Sequence, residues 1–434
     1  MREATIEAQS PARLASLLPT ESYEAFAEVL ARAGELLQGR TLWNVNATLT
    51  GGGVAELLGS TLPYLCQAGT HCRWVMLDSN PEFLDVTKRL HNLLHGFPGD
   101  SGKLGAQEKR LYDKVTEENA AQLLGMVRSS DVVVVHDPQP AGLVPRLKEL
   151  GAQVIWHCHI GTDTPNDLTR QAWSFLLDDV SVADAYIFSR AEYLWDGLDP
   201  ARLHVIQPSI DPFSPKNIDL SNVEEIVWEL EIPPGVPIVT QVARWDRLKD
   251  HAGMMRLFAE YLTHTEAHLV LAGPAVDGVA DDPEGAATMR ECATIFASFD
   301  SLVRDRIHLM SLPMDDVVAN ALMVNALQRH SDVVVQKSLA EGFGLVVAEA
   351  MWKRRPVVAS RVGGIQDQIE HGLSGLLVDD ARDGDAFAHA IEALLGDPGQ
   401  ASEMGERARQ RVMDRFLTNR QLTETVDLLA SLPG

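Results

Sequence analysis

The chain has 434 residues, 45% apolar and 23% charged, the balance of a soluble globular protein of two or three domains. Acidic residues outnumber basic ones 61 to 37, and a net charge of −24 argues against a general nucleic-acid or membrane-surface binder, since both need a basic face. No apolar run approaches the roughly 20 residues of a membrane span. The start, Met-Arg-Glu-Ala-Thr-Ile-Glu, has no apolar core for a signal peptide, and Cys66, Cys72, Cys158 and Cys292 lack CxxC spacing, so they read as reduced thiols in a cytoplasmic protein.

In chain order, Pro11–Leu18 and Glu21–Leu37 read as short amphipathic helices. A different pattern follows. Residues 41–47 predict a strand, Gly51-Gly52-Gly53 a tight loop and Val54–Ala68 a helix. His71–Leu77 and Glu82–Leu94 repeat the strand and helix, and residues 96–106 form a Gly-rich loop. Asp131-Val-Val-Val-Val-His136 reads as a buried strand, Ala141–Leu150 as a helix and Gln153–His157 as another strand. Short apolar runs alternating with helices predict a parallel sheet covered on both faces. In such sheets ligands bind beyond the carboxyl ends of the strands, so the informative residues lie just after each strand.

Three such places stand out. The glycines at 51–53 allow a ligand close to the backbone, although the GxGxxG of a dinucleotide site is absent. His136-Asp-Pro-Gln-Pro140 puts polar groups directly after four valines. His157-Cys-His159 offers two imidazoles facing one way, with Cys158 turned from them. Without a second ligand pair nearby in sequence, a core histidine and a cleft histidine fit better than a zinc site.

The proline-rich stretch Gln207–Val223 reads as a linker, and a second α/β series follows. Its strands are predicted at Val236–Val242, His268–Ala272, Ile307–Met310, Asp332–Val335, Pro356–Ala359 and Gly375–Val378. After the first comes Arg244-Trp-Asp-Arg-Leu-Lys249, a local basic cluster able to clamp a diphosphate in an acidic chain. Asp383-Gly-Asp385 is a weak match to a metal-binding DxD, and Asp385 reads better as a helix N-cap. A long helical tract, Glu403–Leu428, closes the chain, with a break near Leu417-Thr-Asn.

The most specific stretch is Glu341-Gly-Phe-Gly-Leu-Val-Val-Ala-Glu349. It runs from a strand through a glycine turn into a helix, with Lys353, Arg354 and Arg355 expected in the last turn before Pro356. Free N–H groups at such a helix start suit a phosphate. Two carboxylates roughly 12 Å apart along the axis suit a ligand with hydroxyls at both ends, a nucleotide sugar.

This E-x7-E arrangement resembles the retaining glycosyltransferases of the GT-B class. Trp43–Glu56, Phe83–Asn92, His136–Pro140, Trp156–Ile160, Ser209–Asn217, Val335–Ser338, Glu341–Lys353 and Val362–Ile365 together resemble the trehalose glycosyltransferring synthases, from about residue 40 onward. One departure is Gly161, where those synthases carry an acidic residue; Asp163 follows two positions later. The resemblance implies an α/β GT-B fold of two Rossmann-like parallel-sheet domains facing across a cleft. Residues 1–215 would form the acceptor-side domain, 216–405 the nucleotide-sugar domain, and 406–434 a helix crossing back to the first.

The resemblance assigns Arg244 and Lys249 to the donor diphosphate, Glu341 to sugar hydroxyls, Glu349 to the ribose and His159 to the donor sugar near its reacting carbon. Gly52, Gly53, Lys337, Gly342, Phe343, Gly344 and Leu345 complete the donor side, and Lys88, Asn92, Asp137 and Gln139 form the acceptor side. The implied reaction joins glucose from a nucleoside-diphosphate glucose to free glucose with retention, giving α,α-trehalose. No cofactor or metal is required; Mg2+ is compatible but no convincing motif calls for it. The partners expected are the nucleotide sugar and a sugar acceptor, with room for a homodimer. Three alternatives stay open: the same donor chemistry on another sugar, cyclitol or secondary metabolite; a phosphorylase; and a catalytically idle nucleotide-sugar-binding protein.

Overall fold

The computed structural model describes residues 1–49, 52–221, 232–276 and 284–432. Gly51 of the triple-glycine turn and residues 222–223 of the linker candidate lie outside them. The chain divides into two compact units, residues 1–209 with 418–434, and residues 210–417. Residues 210–215 and 406–417 thus group with the second unit.

The first unit is built on strands β1 (Arg2–Glu3), β2 (Thr41–Asn46), β3 (His71–Met76), β4 (Val132–His136), β5 (Gln153–His157), β6 (Ala185–Phe188) and β7 (Leu203–Val205), in the order β1-β3-β2-β4-β5-β6-β7. All pairings are parallel except the short β1, which runs antiparallel to β3. The valine run forms a strand because both faces of β4 are covered, and Val132 to Val135 are all buried. Val133 and Val135 join Trp156, Tyr186 and Phe188 in one core. Two helices absent from the sequence reading, Ala106–Leu124 and Asp167–Val180, pack here. The former buries Tyr112, Val115, Thr116, Asn119, Ala120 and Leu123, a helical stripe blurred by its polar members.

The second unit holds β8 (Ile238–Val242), β9 (His268–Pro274), β10 (Ile307–Leu312), β11 (Val333–Gln336), β12 (Val357–Ser360) and β13 (Leu376–Val378). The order is β10-β9-β8-β11-β12-β13, wholly parallel. The chain builds outward from β8 on one side, then returns to add β11 on the other. That reversal leaves a crevice beyond the ends of β8 and β11, where open α/β sheets bind ligands. In the first unit the same reversal falls between β2 and β4.

Two local expectations are corrected. The helix after Gly344 spans Leu345–Trp352, so Lys353 is its C-cap and the three cations follow the helix instead of filling its last turn. Arg354 is left-handed at φ 60°, and Lys353 is buried, its Nζ donating to Gln328 Oε1 at 2.7 Å and Asn217 Oδ1 at 3.1 Å. Those bonds, not the helix dipole, account for the lysine. Asp383, not Asp385, caps the helix Gly384–Gly396, accepting from Ala386 N at 2.9 Å. The closing tract is two helices, Pro398–Arg415 and Thr418–Ser431, parted at Phe416-Leu417 where a break is expected, and the second belongs to the first unit. No helix among the described residues is long and apolar enough to cross a membrane.

Candidate active site

In the second unit, Arg244 and Lys249 follow β8, and the Glu341–Gly344 turn follows β11. Lys249 Nζ lies 2.5 Å from Glu341 Oε2, and Ser338 Oγ donates to the same oxygen at 3.3 Å. Both partners of the pair are mostly buried, so water screens them less than a surface pair. Arg244 lies 4.0 Å from the buried Asp246, whose Oδ1 accepts from Leu248 N at 2.8 Å and so shapes the turn carrying the cations.

Gln241, on β8, ties these segments together. Its Oε1 accepts from Lys337 N at 3.0 Å and its Nε2 donates to Lys249 O at 2.8 Å. His251 Nε2 donates to Arg244 O at 3.1 Å, and burial pushes this imidazole down to about 4. Lys337 is buried and forms an ion pair with Asp250, which also caps the helix His251–Leu257. Its ammonium is therefore turned to the frame of the site.

The turn before the helix needs its glycines. Gly344 has φ +86°, and a Cβ there would lie 3.1 Å from Glu341 Cγ. Gly364 N donates to Gly342 O at 3.1 Å, and Gln368 Nε2 donates to Phe343 O at 2.6 Å, so the Gly342-Phe343-Gly344 backbone is held from behind. The N–H groups at Leu345 start the helix. Four residues further along, Glu349 is 2% exposed, with Lys216 Nζ 3.6 Å from its Oε1.

In the first unit, Gly52 caps the helix Gly53–Gln67 at φ +89°. Lys88 and Asn92 lie buried on the helix Pro81–Leu94, and Gly99 packs against the Asn92 amide. Asp137 takes a left-handed φ of 65° directly after β4. This unusual backbone is over-determined: Asp137 N donates to His157 O at 2.9 Å, its O accepts from Trp156 Nε1 at 3.1 Å, and its Oδ1 accepts from His159 N at 2.7 Å. Gln139 is half-buried in the same loop, which Tyr112 clasps by donating to Pro138 O at 2.7 Å and accepting from Gly142 N at 2.9 Å.

The loop gathers three imidazoles. His136 Nδ1 lies 3.1 Å from His159 Nε2, and His157 stacks on His159 with centroids 3.8 Å apart. Burial holds His159 down at about 3 and pushes His136 and His157 well below the usual imidazole range, so all three are neutral near pH 7. Ligand atoms of His136, His157 and His159 lie within 4.8 Å of one another, the group among the described residues able to take a metal. The sequence spacing showed only the second and third of these. Gly161 is explained by Tyr193, whose ring occupies the place of a Cβ, 2.1 Å from its Cγ. Asp163 supplies a carboxylate nearby in sequence and meets Arg190 at 3.2 Å.

A family model for the N-terminal domain of trehalose synthase matches residues 44–195, and one for glycosyl transferases group 1 matches residues 318–411. The trehalose synthase of Pyrococcus horikoshii is 38% identical over 407 residues, covering 92% of this chain and 92% of its own. This chain belongs to the trehalose synthase family. Among solved structures, the trehalose-6-phosphate synthase OtsA superposes with a TM-score of 0.72 at 17% identity, covering 91% of this chain and 100% of that one. A UDP-forming α,α-trehalose-phosphate synthase from Burkholderia xenovorans, in complex with glucose-6-phosphate, gives 0.69 at 16% identity, with 90% and 100% covered. The fold is that of the GT-B glycosyltransferases, and the chain is a glycosyltransferase of trehalose metabolism.

For this member of the trehalose synthase family, the sequence reading missed Asn44, Gln241, His251 and Lys216. Asn44 and Gln241 left a signal: each is a polar residue inside a strand buried on both faces, where an unpaired amide costs about 1–3 kcal/mol and so implies a built network. Lys216 left none, because its partner Glu349 comes from a distant segment, and His251 left none although its partner Arg244 is close in sequence, because a lone histidine at a helix start has no distinctive pattern.

Proposed function

We propose that this enzyme transfers glucose from a nucleoside-diphosphate glucose to free glucose with retention of configuration, forming α,α-trehalose. The observation that carries this is the cluster of Arg244, Lys249 and Glu341 beside the helix start at Gly344–Leu345, at the reversal of the second sheet. Breaking the sugar–phosphate bond leaves charge on the diphosphate and an oxocarbenium-like sugar. Arg244, Lys249 and the helix N–H groups meet the departing charge, the electrostatic term that dominates most such reactions. They supply it without a metal ion. Glu341, held by Lys249, takes hydroxyls of the transferred sugar. Glu349, with Lys216, takes the ribose.

His159 serves the transferred sugar as a neutral hydrogen-bonding group. Lys88, Asn92, Asp137 and Gln139 bind the acceptor. A polyhydroxylated acceptor needs such a set because each buried unpaired hydroxyl costs roughly 1–3 kcal/mol, whereas an apolar acceptor would want aliphatic and aromatic walls. Glu341 is assigned to Lys249 and to sugar hydroxyls, which argues against it as the nucleophile of a double displacement. Front-face attack remains, in which the acceptor oxygen bonds to the anomeric carbon as the phosphate oxygen leaves, and that phosphate oxygen takes the acceptor's proton.

The four free thiols fit a reducing cytoplasm. The test is incubation with labelled glucose and UDP-, ADP- or GDP-glucose, followed by identification of the product. A non-reducing α,α-linked disaccharide is expected. A reducing disaccharide, or transfer only to another acceptor, overturns the acceptor assignment; absence of donor cleavage under every condition overturns the donor assignment.

A further inference from the structure

We propose that Asn44 and His136 are positioning residues, forming with His159 a hydrogen-bonded relay that fixes the tautomer of His159 and leaves its Nδ1 bare as an acceptor for a sugar hydroxyl. The link to a sugar rests on the function proposed above. The relay itself rests on hydrogen-bond geometry, with burial keeping the rings neutral.

Asn44 lies on β2, His136 ends β4 and His159 follows β5, so three adjacent strands contribute one member each. Asn44 Oδ1 is 3.0 Å from His136 Nε2. An amide oxygen only accepts, so Nε2 carries the hydrogen. A neutral imidazole carries one such hydrogen, which leaves His136 Nδ1 bare. That atom lies 3.1 Å from His159 Nε2 and must accept from it. His159 Nε2 is then protonated and Nδ1 is not. Among the described residues His157 meets both rings by their faces, and the hydrogen bonds to the His136 and His159 side chains are these two, so the order follows from them.

The ring cannot turn easily to escape it. Asp137 Oδ1 holds the His159 backbone at 2.7 Å, and the His157 ring covers one face. Burial favours the neutral form of all three imidazoles, as a relay of single protons requires. The stacking also argues for a relay over a metal site. Rings 3.8 Å apart and 30° from parallel direct their lone pairs side by side, and meeting on one ion would require at least one to swing. The opposite orientation of the Asn44 amide would reverse every hydrogen and give His159 an Nδ1–H donor, so the tautomer is a direct readout.

The experiment is long-range proton–nitrogen spectroscopy of the full chain labelled with 15N-histidine, at neutral pH, on the parent and on Asn44→Leu. In the parent, His159 should show a protonated Nε2 and a bare Nδ1. In Asn44→Leu both tautomers should appear, and kcat should fall about tenfold, one hydrogen bond's worth, with a smaller change in donor KM. A protonated Nδ1, or mixed tautomers in the parent, overturns the relay; this spectrum decides even if the variant does not fold. A scrambled tautomer with unchanged kcat and KM would uphold the relay but remove His159 from the reaction. Joint shifts of all three histidines on titration with Zn2+ alone, at stoichiometric concentration, would replace the relay by a metal site.

Discussion

Lys249 and Glu341 are 92 residues apart in sequence and meet at 2.5 Å. The pair joins the turn after β8 to the turn after β11, and each charge balances the other. In the proposed reaction a diphosphate beside Arg244 would compete for the lysine and release the carboxylate to sugar hydroxyls. Glu341→Ala should therefore leave nucleoside-diphosphate binding nearly intact while kcat falls by about 10²-fold or more. Calorimetry showing a large loss of nucleotide affinity would assign Glu341 to the nucleotide instead.

Arg244 should act mainly in the transition state. Arg244→Ala is expected to lower kcat by about 10²–10³-fold, with a smaller rise in donor KM, because the charge it meets grows as the bond breaks. Steady-state kinetics with kcat unchanged would remove it from the diphosphate.

Glu349 and Lys216 should read the nucleoside. Glu349→Ala is expected to weaken binding of free nucleoside diphosphate by about 1.5–3 kcal/mol, the scale of a charged hydrogen bond. Lys216→Met should weaken it in the same direction, since it leaves a buried carboxylate beside the site without its ammonium. Isothermal titration of both variants checks the pair; equal affinity to the parent would show that the nucleotide lies elsewhere.

The Gly342-Phe343-Gly344 backbone should tolerate no side chain at its last position. Gly344→Ala combines a left-handed φ with a 3.1 Å contact to Glu341 Cγ. A cost of about 1–3 kcal/mol in unfolding free energy and a loss of donor binding are expected together. A stable variant with parental donor affinity would show that the turn is not the phosphate seat.

Acid should destabilise the fold through its buried imidazoles. His136, His157 and His251 are held below their unfolded value of about 6.5 chiefly by burial, His251 down to about 4. The unfolded chain binds more protons than the native one below that value. Their contribution is therefore complete above about pH 6.5 and lost as pH falls from there through the folded pKa. Each group adds a slope of up to about 1.4 kcal/mol per pH unit. Urea midpoints at pH 8, 6 and 5 should fall in that order, and a flat series would mean that these rings are solvated.

Much of the second unit was legible because its signals are local. The strand β11 with Val333–Val335, the glycine turn and the Glu341/Glu349 spacing all lie within a short window, and the cations at Arg244 and Lys249 follow the strand that positions them. What escaped is non-local. The helix Ala106–Leu124 hides its buried stripe behind Thr116 and Asn119. Lys353 looked like a solvated helix-end cation, yet it is buried by Asn217 and Gln328, residues that no sequence window places together. Asn44 was read as part of a strand, and its chemical meaning came only from a histidine 92 positions away.

The helix Thr418–Ser431 lies against Thr20–Leu36, with Arg32 paired to Asp427. The first unit is thus assembled from segments on either side of the second. On the ribosome its sheet can be complete while the helix Thr418–Ser431 is still unsynthesised, and the whole of the second unit emerges in between. Val426, Leu428 and Leu429, buried in the finished protein, emerge after the whole of the second unit. Biosynthesis therefore finishes the second unit's chain before it delivers the piece that completes the first, and a nascent chain stalled near residue 417 would present chaperones with an incomplete first unit.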